Sequence, residues 1–92
     1  MSINFEWDDL KAESNLRKHG VSFEEAATAF GDPLSITVAD PDHSQQEDRF
    51  ILVGSTFRDR LVVVVHSERG DRIRIIGARP ATRSERRPYE QV

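Results

Sequence analysis

The chain opens on a short alternation: Phe5, Glu6 and Trp7 step apolar–polar–apolar, the period of an edge strand. The pattern then turns helical over residues 10–19, with Leu10, Asn15, Leu16, Lys18 and His19 on its body. Asp8 or Asp9 is placed to cap that helix, and Gly20 follows it as a C′ residue free to turn left-handed. Lys18 and His19 fall in its last turn, where cations suit the helix dipole. Ser22 and Glu25 form a capping box, with Val21 and Ala26 as the hydrophobic staple. They start a second helix over 23–30, closed by Gly31 and Pro33.

Strand signals take over in the middle. Residues 34–38 make a modest strand, 40–46 a polar loop, and 49–57 and 61–67 two strong strands joined at Arg58 and Asp59. A turn around Gly70 leads to another strand over 72–79. Connections this short imply antiparallel neighbours, hence a meander. Thr82 and Glu85 form a second capping box and open a C-terminal helix, which Pro88 is expected to end or kink. The order predicts an α+β domain spanning 1–92: an antiparallel meander packed against N-terminal helices, with a helix at the C-terminus.

Strict alternation in the 72–79 strand puts Arg72 and Arg74 on one face and Ile73 and Ile75 on the other, but sends Arg79 to the isoleucine face. A bulge or a strand end near Gly77 would reset the phase and return Arg79 to the arginine face.

Cysteine is absent, which excludes disulfides, thiol catalysis and thiolate metal sites. No N-terminal stretch has the apolar core of a signal peptide, and the longest apolar run, 61–65, is too short to span a bilayer. The expectation is a soluble, cytoplasmic protein without membrane contact. Charge adds more. Residues 1–56 hold four basic against eleven acidic side chains, whereas 57–92 hold nine arginines against five carboxylates. Seven of those arginines lie between 69 and 87, in a chain whose net charge is −3. Arginines gathered this way suit an anion, and phosphate above all, because the guanidinium fork matches its geometry at any working pH.

Arg72, Arg74 and Arg79, with Glu68 and His66 nearby, contain what metal-free RNA cleavage requires. A base must take the 2′-hydroxyl proton, cations must stabilise the pentavalent phosphorane, and an acid must protonate the leaving 5′-oxygen. Glu68 or a histidine could be the base, the arginines the charge clamp, and His19, His66 or Tyr89 the acid. Lys18 and His19 offer a point charge and a titratable ring at a helix end, which capping explains equally well. Trp7 could stack on a base or fill the core. The segment from Asp40 to Ser44 superficially matches the start of a calcium loop. Gln45 replaces the required glycine there, and Ile51 stands where a bidentate glutamate belongs. The three histidines show no zinc spacing, and no phosphate-cradling glycine loop is present. No cofactor is expected.

Taken in order, several residue groups resemble the BrnT toxin family of type II toxin–antitoxin systems: Phe5–Asp8, Lys11, Asn15, Lys18–Val21, Phe23–Ala26, Phe30–Asp32, Arg74–Arg79, Ala81 and Glu85–Tyr89. The resemblance runs from end to end. It implies a RelE-like fold, ribonuclease activity that arrests translation, and a BrnA-type antitoxin whose dimer holds a heterotetramer together. Operator DNA would be reached only through that antitoxin. RelE-like ribonucleases rely on arginine, lysine and a late tyrosine rather than on metal. That resemblance points to Arg74, Arg79, Tyr89 and His19 as catalytic candidates and to Lys18, Arg83 and Arg86 as RNA-binding ones, while the residue chemistry by itself adds Glu68 to the first group and Arg72 and Trp7 to the second. Two rivals remain: a non-catalytic module that holds a partner with the same arginines, and a metal-dependent nuclease built on Asp40 and Asp42.

Overall fold

The computed structural model describes residues 3–40 and 49–90. In chain order the elements are β1 (Asn4–Glu6), α1 (Asp9–His19), α2 (Phe23–Thr28) with a 3₁₀ turn at Ala29–Gly31, β2 (Ile36–Ala39), β3 (Arg49–Ser55), β4 (Leu61–Arg69), β5 (Arg72–Pro80) and α3 (Arg83–Glu90). The strands form one sheet in the order β1-β5-β4-β3-β2. β2 to β5 are the expected antiparallel meander, while β1 runs parallel to β5, pairing Asn4 with Arg72 and Glu6 with Arg74. The sheet is therefore mixed. A three-residue strand whose partner lies near the other end of the chain leaves no turn signal to reveal its direction.

The local signals act as their chemistry dictates. The Asp8 carboxylate accepts from the Leu10 and Lys11 amides at 2.8 and 3.1 Å, and Gly20 closes α1 at φ 71°. Ser22 caps α2 by accepting from the Glu25 amide at 3.0 Å. The Glu25 carboxylate does not complete the box. It is buried and turns instead to Arg60, at 2.6 and 2.9 Å, and to the Thr56 hydroxyl at 2.8 Å. These bonds, the one from Arg60 foremost, hold its carboxyl below the usual range despite burial. α3 runs on through Pro88 to Glu90 rather than stopping there. Pro88 lies in the last turn, so the helix forfeits one bond to an exposed segment instead of breaking.

Facing residues of adjacent strands share a side of the sheet. Leu52, Val62, Val64, Ile75 and Ala78 point to the side covered by the N-terminal helices, where they meet Val21, Phe23, Ala26 and Ala29 in the main core. Leu61 and Val63 point to the other side and pack with Ala81, Ile51, Val53 and Tyr89 beneath α3. Burial on both faces explains why 61–65 is a continuous apolar run rather than an alternating one. Gly54 lets the 3₁₀ turn approach β3: a Cβ there would stand 3.0 Å from the Ala29 carbonyl oxygen.

β1 pairs with β5 only as far as Arg74. Beyond that point the Asn15 side chain stands in for a strand. It accepts from the Ala78 amide at 3.1 Å and donates to the Ala78 carbonyl at 2.8 Å and to the Val21 carbonyl at 3.0 Å. Asn15→Ala strips both polar groups of buried Ala78 of their partner, so it is expected to lower unfolding free energy by about 2–3 kcal/mol. Urea unfolding measures this, and an unchanged midpoint would refute the role given to Asn15.

Candidate functional site

The phase change expected in β5 is present. Val65 faces Gly77 but His66 faces Ile75, so Ile76 is the extra residue of a bulge. Past it, Arg79 lies opposite Val63 and Arg74 opposite Ser67, both on the α3 side of the sheet. The three arginines Arg72, Arg74 and Arg79 thus share one face, and the bulge is what returns Arg79 to it. From the register, Arg74 and Arg79 stand about 13 Å apart along the sheet. Ser67, across from Arg74 on β4, is buried, and its hydroxyl has no partner among the described residues.

Each of these arginines already holds a carboxylate. Arg74 and Arg72 reach the two oxygens of Glu6 at 3.2 and 3.5 Å, and the Arg74 bond first holds that carboxyl below its ordinary range. Arg79 grips Glu85 with both ends of its fork, at 2.7 and 2.7 Å. Glu85 also completes the expected capping box of α3. Its carboxylate accepts from the Thr82 amide at 2.8 Å while its own amide donates to the Thr82 hydroxyl at 3.3 Å. The Arg79 bonds, working against burial and helped by Thr82, pull the Glu85 carboxyl down to about 2.

Four candidates stand elsewhere. Glu68 faces Ile73 on the opposite side of the sheet from the arginines, 3.9 Å from His66, so it is not part of their cluster. His66 is 1% exposed, packed against the rings of Phe30 and Phe50, and burial pushes its imidazole below the ordinary range. Tyr89 donates to Asp32 at 2.6 Å, and that bond first, then burial, raises its hydroxyl to about 12. A proton held that tightly suits anchoring α3 better than protonating a leaving group. Trp7 packs edge-on against Phe23 at 5.9 Å beside the main core, which explains its half-buried state without a stacked base.

Lys18 and His19 are exposed on the last turn of α1. They line an open groove of about 210 Å³ with Lys11, Ser14, Asn15 and the bulge residue Ile76. The α1 cations therefore flank the outer edge of β5 on one side, and the arginine row flanks it on the other. Sequence reasoning passes over Lys11 as a site residue. Its helical spacing to Lys18 is readable, but the strand beneath them is not. Arg83 and Arg86 are exposed on α3, and Arg86 borders a cleft of about 370 Å³ with Tyr89, Asp59 and Arg60. Among the described residues no three His, Asp or Glu side chains gather as a metal-binding group. Asp40 is buried at the end of β2, and Asp42, with most of the 40–46 loop, lies outside the described residues.

The Arg79–Glu85 pair has a pH signature. Its carboxyl is lowered in the folded state, so the stabilisation is complete above about pH 4.3, the unfolded value, and is lost as pH falls toward 2. Glu85→Gln keeps a capping residue but removes the titration. Its urea midpoint is expected to fall less steeply than that of the wild type between those pH values. Parallel profiles would show that the pair contributes nothing.

Comparison with known proteins places this arrangement. The family model described as the ribonuclease toxin BrnT of type II toxin–antitoxin systems matches residues 7–85. No curated protein sequence matches. Among solved structures, the crystal structure of the Brucella abortus ribonuclease toxin BrnT superposes with a TM-score of 0.65 at 20% identity, covering 89% of this chain and 100% of that one. At that identity the superposition speaks for the fold, and it matches the mixed sheet with its helices. The family match extends over most of the chain, from Trp7 at the end of β1 to Glu85 at the start of α3, and so spans both the arginine row and the α1 cations. The chain belongs to the BrnT family of ribonuclease toxins of type II toxin–antitoxin systems.

Proposed function

We propose that this protein is a metal-independent endoribonuclease that stops translation by cutting RNA at the outer edge of β5. The observation that carries the proposal is the bulge at Ile76, which gathers Arg72, Arg74 and Arg79 on one face of a strand whose opposite flank carries Lys18 and His19. Arg74 and Arg79 hold the phosphate as charge builds on it. An incoming phosphodiester displaces Glu85 from Arg79 and Glu6 from Arg74, since each carboxylate occupies the fork a phosphate would take. His19, an exposed imidazole at the end of α1, takes the 2′-hydroxyl proton. The 2′-oxygen bonds to phosphorus and the P–O5′ bond breaks as a water molecule gives its proton to the 5′-oxygen, leaving a 2′,3′-cyclic phosphate and a 5′-hydroxyl, and the hydroxide left behind is neutralised by the proton that His19 took. Lys18, Arg83 and Arg86 extend the basic track on either side.

A type II system implies an antitoxin partner. We infer a BrnA-type antitoxin whose dimer carries two toxins in a heterotetramer, represses its operon through its own DNA-binding region, and covers part of the basic surface. A second reading is favoured by one observation, the carboxylates already seated on the arginines: the same face could hold an acidic antitoxin segment without catalysing anything.

Purified protein incubated with RNA in EDTA separates the two. Cleavage that persists in EDTA and drops about 10²–10³-fold in Arg79→Ala or Arg74→Ala supports the enzyme. Absence of cleavage with intact antitoxin binding supports the module. Expression alone gives an independent readout: the wild-type gene is expected to arrest growth and the Arg79→Ala gene to permit it. Antitoxin affinity is expected to weaken as salt rises.

A further inference from the structure

Lys11 and Lys18 are seven residues apart on α1, which places them about 10 Å apart along one face of the helix. Ser14 and Asn15 lie between them on that face, and the groove they share with His19 and Ile76 contains no carboxylate. Among the described residues, neither lysine makes a side-chain hydrogen bond or ion pair. The contrast with β5 is direct: Arg72 and Arg74 share Glu6 and Arg79 holds Glu85, so two carboxylates already occupy that row, whereas the α1 groove has no carboxylate seated on its lysines.

The groove is also held rigidly. Both N–H donors of the Asn15 amide are spent on the Ala78 and Val21 carbonyls, so it has none left for an anion and acts as a bolt that fixes α1, and both lysines with it, to the strand carrying Arg74 and Arg79. A helix C-terminus repels anions, and Lys18 in the last turn offsets that repulsion. Ile76 forms an apolar floor and belongs to the same bulge that aligns the arginines. A ribose can rest on such a floor while its phosphate meets the lysines. A protein carboxylate has no comparable use for that floor.

We propose that this groove is a second phosphate site, with Lys11, Lys18 and the Ser14 hydroxyl binding the RNA backbone at a phosphodiester next to the one that is cut. The proposal rests on the ribonuclease reading. The strand of RNA crosses the outer edge of β5 from the α1 groove to the arginine row, so the lysines set which bond lies before Arg74 and Arg79.

The test uses a fluorescently labelled single-stranded RNA carrying 2′-O-methyl groups throughout, which cannot be cut by 2′-hydroxyl attack. The wild type is compared with Lys11→Gln, Lys18→Gln and the double variant. Melting temperatures should fall by no more than a few degrees, because neither side chain bonds to another described residue and only Lys18 gives up a helix-dipole contribution. Binding should weaken about tenfold or more in the double variant. The slope of log affinity against log salt should become shallower by about 0.7 for each phosphate that is no longer neutralised. On a cleavable RNA, KM should rise more than kcat falls. If the double variant keeps wild-type affinity and slope while the wild type still cleaves RNA, the groove is not on the RNA path and the ribonuclease reading stands without it. If the double variant keeps RNA but loses antitoxin, the groove belongs to the antitoxin and the proposal is overturned. A wild type that neither binds nor cuts RNA defeats the ribonuclease reading itself.

Discussion

The outer edge of β5 is the constraint on which this structure turns. β1 covers it only to Arg74, and an open strand edge beyond that point would leave buried Ala78 with two unmet backbone groups. The Asn15 amide meets both, with a third bond to the carbonyl of Val21 just past the end of α1. One side chain thereby seals a sheet edge, seats a helix and sets where that helix places its cations. Packing of Val21, Phe23 and Ala26 on Val62, Val64 and Ile75 holds α2 from beneath, and Ala12 packs α1 against the same core.

The bulge at Ile76 adds a second decision to that edge. One extra residue reverses the parity of the strand, so Ala78 enters the core and Arg79 leaves it. Without it, the arginine would face the aliphatic interior and Ala78 the solvent side. The side chains then settle against the nearest carboxylates. Glu6 arrives on β1 beside Arg72 and Arg74, and Glu85 arrives on α3 beside Arg79. These glutamates tie the row to β1 at one end and to α3 at the other.

Local chemistry was legible where the relevant partners are close in sequence. The caps at Asp8, Ser22 and Thr82, the left-handed Gly20 and Gly70, and the hairpin between β4 and β5 are all consequences of residues within a few positions of one another. The parity conflict at Arg79 was legible too, because a period of two cannot place both Ile75 and Arg79 correctly. The site was less so. Glu68, next to the arginines in sequence, faces away from them, and Tyr89 is committed to Asp32, a residue 57 positions earlier. Lys11 gains its meaning only from the strand beneath it.

The sequence by itself determined the elements, the meander and the charge asymmetry, because hydrophobic period, capping boxes and turn residues act over a few bonds. The tertiary structure alone decided that β1 joins parallel to β5, that Glu25 abandons its capping box for Arg60, and which carboxylate each arginine meets. Those outcomes depend on which surfaces are brought within about 3 Å of each other across dozens of residues, the separation at which hydrogen bonds form.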